Sequence, residues 1–346
     1  MTSDTVVLAL NSGSSTLKYG LYAVDGATPV LLVGGKIETT DDHGAYFDAI
    51  ARALASFPAP TAIGHRIVHG GPHRAAHCLI DEAVMADLAS ACAFAPLHGA
   101  AALALIEAAR GRFPGLPQVA CFDTAFHAGM PDVAKELPIP RQYRAEGVRR
   151  YGFHGLSCES ILRHLGSAMP VRLVIAHLGN GASITAVRDG RSVDTSMGLT
   201  PSGGVVMATR TGDLDPGVLL YLLREKRMTV EALATMTDHA SGMTGVSGVS
   251  GDMRQLREAA ATDANADLAI RMFERSVCKE VAAMATALGG ADLLVLTGGI
   301  GENDAATGRA IREGLAWLPM LKIVTLPSQE DAQIALHAAS LYRSDG

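Results

Sequence analysis

Nowhere in the chain is there a run of lysine or arginine, and a formal net charge of −6 with a pI near 6.0 leaves no basic face for a phosphate backbone. A nucleic-acid partner is therefore not expected. Long apolar runs are missing too: the most apolar region, Ala83 to Ala109, is broken by Asp87, Pro96 and His98, short of the roughly 18 residues a membrane span needs. No membrane association is expected. The opening residues, MTSDTVVLALNSG, have no positive start, long apolar core or small-residue cleavage site, so nothing there encodes export and a cytoplasmic protein is expected. The five cysteines (Cys78, Cys92, Cys121, Cys158, Cys278) are odd in number and form no C-x-x-C pair, which argues against a disulfide framework or a zinc site and fits a reducing compartment. The phosphate-loop pattern G-x-x-x-x-G-K-[ST] is also absent.

What is present reads as a folded α/β enzyme. Hydrophobic residues make up 48% of the sequence, charged residues 18%, and 37 glycines punctuate the 346 positions. That length exceeds one core, so two domains of roughly 150 to 200 residues are expected. The N-terminus reads strand, turn, strand: VVLAL, then Asn11 to Ser15, then LKYGLY, followed by an extended PVLLVGGKI. Phe47, Ile50, Leu54 and Phe57 fall at helical spacing. AIGHRIVHGG then reads as a strand, helices are expected at about 81–92 and 98–110, and QVACF as a strand. After residue 150 the device repeats: a helix LSCESILRHL, a strand RLVIAHL, a turn Gly179-Asn180-Gly181 and a strand ASITAVRDG. Several helices between Asp215 and Leu288 follow, then a strand DLLVLTGG, a helix from about 304 to 315, a strand LKIVTL and a closing helix from about 329 to 342.

Two copies of a strand, glycine-rich turn, strand unit suggest two related domains handling a nucleotide. Backbone N–H groups in such turns form a concave nest for phosphate oxygens, and small side chains allow close approach. Asn11 to Ser15 and His177 to Ser183 both fit, although each is equally compatible with a plain hairpin turn. A third segment, Thr297-Gly298-Gly299-Ile300-Gly301-Glu302-Asn303, follows a strand and opens a helix, a position suited to adenosine or phosphate. Arg66 in GHRIVHGG and Arg210 in MATRTGDLDPG lie among glycines. Their planar forks match carboxylate and phosphate oxygens, though a structural salt bridge is the alternative for either alone. Of twelve histidines, His98 and His154 each adjoin a glycine and His177 stands two residues before one; His43, His73, His77, His164, His239 and His337 read as structural. Asp123 follows a strand, a common place for a catalytic or magnesium-linked carboxylate.

The ordered segments NSGSSTLKY, GHRIVHGG, APLH, CFDTAFHAGMP, RRYGFHGLS, HLGNGASITAV, DTSMGLTPSGG, TRTGDLDP, SGVSGDMR and LTGGIGEN together resemble the acetate kinase family and its short-chain acyl kinase relatives. The resemblance spans residues 6 to about 335. It implies an α/β, two-domain, ribonuclease H-like (actin-like ATPase) fold with duplicated βββαβαβα cores. It also implies domains at 1–126 plus 331–346 and at 127–330, nucleotide in the cleft, and a homodimer. Arg66, Arg210, His154 and Asp123 match the family's catalytic residues, and His98 and His177 further cleft histidines. Arg66, Val68, Leu97, Phe153 and Pro201 match the acyl-substrate site. Ser14, Thr16, Lys18, His177, Gly179, Asn180, Gly181, Asp252, Arg254, Gly298, Gly299, Ile300, Gly301 and Asn303 match nucleotide-binding positions, with Thr16 standing where the family usually has serine. Asn11 and Glu330 match positions linked to the metal, magnesium or manganese, with ATP as co-substrate.

The implied reaction is reversible transfer of the ATP γ-phosphoryl group to acetate, with propionate or butyrate as alternative acceptors. A nucleotide-binding regulator or ATPase of the same superfamily is the alternative from another class, but it has no use for a carboxylate clamp. A carboxylate with a pKa of about 4 is already ionised at neutral pH, so the acceptor needs no general base. Asp123 is then expected to orient magnesium or an arginine. The sequence departs from the family in a shortened N-terminal region and C-terminus, and in Ser202-Gly203 where a leucine and a glutamate are usual, beside Arg210.

Overall fold

The computed structural model describes residues 5–13, 16–26, 28–38, 43–94 and 96–345, without the side chains of 43–45, 96–98 and 345. It divides into two units: Met1–Ala128, His154–Arg163 and Gln329–Gly346 form one, and Gly129–Phe153 with His164–Ser328 the other.

The first unit is built on a six-stranded sheet: β1 (Thr5–Ser12), β2 (Thr16–Asp25), β3 (Thr28–Glu38), β4 (Ala62–Ile67), β5 (Cys78–Leu79) and β6 (Gln118–Phe122), in the order β3-β2-β1-β4-β6-β5. The first three strands form an antiparallel meander; β4 runs parallel to β1 and β6 parallel to β4. VVLAL is apolar throughout because β1 is covered on both faces. Val6, Leu8 and Leu10 meet Tyr46, Phe47, Ile50 and Leu54 of the helix His43–Leu54, with Leu105 and Ala109 of the helix Pro96–Arg112. Val7 and Ala9, on the opposite face, meet Ile334, Ala335, Ala338 and Ala339 of the helix Glu330–Asp345. Small residues let that helix lie close: a Cβ at Gly64 of β4 would stand 2.7 Å from Ile334 Cγ2.

Residues 154–163 also belong to this unit, within the span 127–330 that the sequence assigned to the second domain. The cause is packing: Leu156, from the helix Gly155–Leu165, is buried in the same core layer as Ile334.

The second unit repeats the plan with β7 (Arg172–Leu178), β8 (Ala182–Arg188), β9 (Arg191–Thr195), β10 (Leu293–Thr297) and β11 (Lys322–Thr325), ordered β11-β10-β7-β8-β9. Again three strands form an antiparallel meander, then β10 lies parallel to β7 and β11 parallel to β10. The long helix Ala264–Leu288 packs on β7, β8 and β9. It is capped at its start by the Asp263 carboxylate and stopped by Gly289 at φ 67°, a left-handed value that glycine adopts without strain. The two sheets thus share one strand plan, the duplicated core of the actin-like ATPase fold. The third strand of the second meander, RSVDT, is the part the sequence reading lacked; its polar side chains break the apolar alternation.

Candidate active site

In the first unit the chemistry collects at the carboxyl ends of the parallel strands β1, β4 and β6, where α/β sheets place their ligands. Arg66 is the penultimate residue of β4, and Asp123 follows β6 directly. Arg66 Nη2 and Nε both donate to Asp123 Oδ2, at 2.6 and 2.9 Å, and Nη1 donates to the backbone oxygen of Ser12 at 3.2 Å. Burial works against the guanidinium charge, but Asp123, Glu330 and Asp331 together outweigh it and raise the arginine's pKa. Asp123 is fully buried, and its Oδ1 has no hydrogen-bond partner among the described residues. Burial raises its pKa to about 6, with Arg66 opposing and the Glu330 charge adding to the rise.

Asn11, near the end of β1, sends its side-chain Nδ2 to Asp331 Oδ1 at 2.7 Å and to Glu330 Oε2 at 3.2 Å. Those carboxylates open the helix Glu330–Asp345, where negative charge is favourable. Lys18 pairs with Asn11 across β1 and β2. His154 is buried and holds φ 60°, a left-handed conformation uncommon for a residue with a Cβ. The next residue fixes it there: the Gly155 N–H donates to the Asp123 carbonyl at 2.9 Å.

The second unit holds two glycine turns side by side. Thr297 of β10 is in register with His177 of β7, and each strand runs straight into a glycine turn. Gly298, at φ 78°, opens the short helix Gly298–Asn303, and a Cβ on it would lie 2.8 Å from the backbone oxygen of Leu178. Glu302 Oε1 accepts from the N–H groups of Gly298 and Ser328, each at 2.9 Å, and from Thr297 Oγ1 at 3.3 Å. The Asn180 carbonyl receives the N–H of Ala208 at 3.2 Å. Asp252 caps the helix Met253–Ala259 and holds Arg254, whose guanidinium contact depresses the Asp252 pKa to about 2. Arg210 Nη1 donates to the Pro201 carbonyl at 3.1 Å, and Phe153 is buried in this unit. The unusual Ser202 is tied down by a hydrogen bond from its hydroxyl to Asp238 Oδ1 at 2.6 Å.

The structure therefore brings together Asn11, Lys18, Arg66, Asp123, His154 and Glu330 in one unit, and His177, Gly179, Asn180, Gly181, Gly298, Gly299, Ile300, Gly301 and Asn303 in the other. Val68 is buried in the first unit beside Ile67. Thr16 begins β2 and closes the Gly13 turn through its carbonyl. Ser14 lies outside the described residues, as do the side chains of Leu97 and His98, whose backbone forms part of the helix Pro96–Arg112. Three residues that hold these segments in place were not given roles by the sequence: Asp331, Glu302 and Gly155. Each adjoins a residue the motifs did single out, which is the one signal the sequence offered.

The donors at the β1 end suit a hard divalent cation. An unpartnered buried carboxylate oxygen on Asp123, a second carboxylate on Glu330 and an amide on Asn11 are the oxygen-rich set that magnesium or manganese takes. A second cluster, His77, Glu159 and His337, has ligand-type atoms within 4.8 Å of one another. Its protons argue against a metal. His77 Nδ1 accepts the Phe122 N–H at 3.0 Å, so the ring proton is on Nε2, which faces Glu159 Oε1 at 3.7 Å without a lone pair to offer. His337 Nε2 meets the other carboxylate oxygen at 2.6 Å. Burial opposes the Glu159 charge, but these two histidine contacts prevail and lower its pKa to about 2.

Paired βββ meanders extended by parallel strands, with phosphate-type turns at the strand ends, define an actin-like ATPase-fold phosphotransferase. Residues 49–326 match the profile of the Acetokinase family. The acetate kinase of Methylocella silvestris is 37% identical over 395 residues, covering 97% of this chain and 97% of that one. Among solved structures, the acetate kinase of Porphyromonas gingivalis superimposes with a TM-score of 0.86 at 31% identity, covering 97% of this chain and 99% of its own. A propionate kinase from Francisella tularensis gives 0.87 at 33% identity, covering 97% and 100%. The chain belongs to the acetokinase family. Among the described residues no helix is long and apolar enough to cross a membrane.

Proposed function

We propose that this chain is an acetate kinase: it transfers the γ-phosphoryl group of ATP reversibly to acetate, giving acetyl phosphate and ADP. The observation that carries this reading is the Arg66–Asp123 pair at the strand ends, in a chain of the acetokinase family. Of the five N–H donors of Arg66, three are engaged by Asp123 and Ser12 among the described residues, so two remain to receive a carboxylate. Asp123 fixes the plane of that fork and keeps it charged.

The acceptor carboxylate arrives ionised, and its oxygen attacks the γ-phosphorus while the bond to the bridging β-oxygen breaks and ADP leaves. Arg66 holds the acetate. Arg210 and His154 stabilise the charge on the equatorial oxygens during transfer. The Gly179–Gly181 and Gly298–Gly301 turns, with Asn303, Asp252 and Arg254, receive the nucleotide. Val68, Leu97, Phe153 and Pro201 receive the methyl group. Magnesium or manganese, when bound, supplies charge neutralisation to the β- and γ-phosphates, and Asn11 and Glu330 are the residues that would hold it. The propionate kinase match keeps propionate as a second acceptor, because one methylene in an apolar pocket discriminates by only about 1–3 kcal/mol.

The protein works in the cytoplasm, where its nucleotide is found, and as a homodimer. For the dimer, support comes from the helices Pro216–Arg224 and Val230–His239, which bury no residue and expose Leu220 (47%), Tyr221 (51%) and Val230 (68%). Sedimentation of Leu220→Glu beside wild type tests it.

The activity is tested by trapping acyl phosphate with hydroxylamine from Mg-ATP and acetate, propionate or butyrate, using wild type and Arg210→Ala. Product that is lost in a folded variant supports the kinase, and the ranking of acids names the substrate. No product from any acid, with ATP still bound, rejects the acyl kinase and favours a regulator or ATPase.

A further inference from the structure

We propose that Asp331 is a positioning residue for the metal segment: it holds the Asn11 amide in one orientation, with the amide oxygen turned away from Asp331 and Glu330 and toward the cation. This rests on the reading of Asn11 and Glu330 as the metal-linked pair.

A primary amide has two protons on nitrogen and none on oxygen. Asn11 directs both protons at the first turn of the helix Glu330–Asp345, one to Asp331 Oδ1 at 2.7 Å and one to Glu330 Oε2 at 3.2 Å. A flipped amide would set its carbonyl oxygen against two carboxylates, so the orientation is fixed. The carbonyl oxygen is thereby turned away from that pair and kept as an acceptor for a cation or its water. The two contacts are unequal. The shorter goes to Asp331, and it alone keeps the amide in place when Glu330 turns to another partner.

The surroundings suit this division of labour. Asn11 is buried on β1. Without Asp331, the Asn11 amide would lose the shorter of its two carboxylate contacts and be held through Glu330, the carboxylate the metal needs.

The test is binding of Mn²⁺ in the presence of ADP, followed by the spin-resonance signal of free Mn²⁺. Wild type is compared with Asp331→Ala, Asp331→Asn, Asn11→Ala and Glu330→Gln. Asp331→Ala is expected to weaken Mn²⁺ binding roughly tenfold, the lower end of what outer partners of metal ligands contribute, with metal-free ADP binding unchanged. Asp331→Asn, which keeps a side-chain oxygen for Asn11, should recover most of that loss and covers the case in which Asp331→Ala fails to fold. Wild-type Mn²⁺ affinity in both Asp331 variants, with clear losses in Asn11→Ala and Glu330→Gln, overturns the role of Asp331 alone. Unchanged affinity in all four variants overturns the metal reading and this inference with it.

Discussion

Gly155 donates its peptide N–H to the carbonyl oxygen of Asp123 at 2.9 Å, and a Cβ on Gly155 would stand 2.3 Å from that same oxygen. Asp123 and the left-handed His154 are thus held together through one residue that has no room for a side chain. Gly155→Ala must push the segment away from β6. It is expected to cost about 1–3 kcal/mol of stability and to lower kcat more than it raises the KM for acetate, as read by denaturant titration and steady-state kinetics. His154→Asn, which tolerates the left-handed backbone, should keep the melting temperature and lose turnover.

Asp123 gives the pH dependence. Burial pushes its carboxyl up to about 6 from 3.8, and the ionised form is the stronger acceptor for Arg66. Activity should therefore rise with pH through about 6 and lose this limb in Asp123→Asn. The sign for stability is the reverse: the folded chain binds this proton more tightly than the unfolded chain. That contribution is complete below 3.8 and is lost as pH rises through about 6. Denaturant midpoints measured across this window should fall more steeply with pH in wild type than in Asp123→Asn.

Glu302 organises the Gly298 turn, the proposed nucleotide turn, through one oxygen that accepts three hydrogen bonds. Glu302→Ala leaves those donors unmatched, at about 0.5–1.5 kcal/mol for each bond lost. The KM for ATP should rise about tenfold or more on that sum, with the KM for acetate little changed. Glu302→Gln, which keeps a carbonyl oxygen there, should restore most of the affinity. Equal effects on both substrates would count against a local role.

Gly64 and Ile334 make a coupled pair, since a methyl on the glycine would reach 2.7 Å from Ile334 Cγ2. Gly64→Ala should destabilise by about 1–3 kcal/mol and Ile334→Ala by about 2–5 kcal/mol. The double variant should lose less than the two combined, because the space made by one admits the other. A denaturation cycle on the four proteins measures that coupling.

Much of this was legible from residue order. VVLAL, QVACF and RLVIAHL announce buried parallel strands by being apolar without alternation, and the glycine turns after them mark where ligands go. Arg66 and Asp123 were readable because each stands at the end of such a run. RSVDT was not, since an edge strand with arginine, serine and aspartate carries no periodic signal. The helix Gly298–Asn303 reads as a turn because three of its six residues are glycine. Asp331 and Glu302 act through partners that folding alone brings near. Asn11 and Asp331 are 320 positions apart, a separation at which no local pattern can announce a hydrogen bond.

That separation also orders events on the ribosome. The strand β1 emerges well before the helix Glu330–Asp345, yet one whole face of it waits for that helix's Ile334, Ala335, Ala338 and Ala339. The second unit, contiguous from His164 to Ser328 apart from the segment Gly129–Phe153, has all its strands before then. A nascent chain should therefore hold a finished second unit beside a first unit whose apolar sheet face is still bare. That interval is when a chaperone would have most to shield.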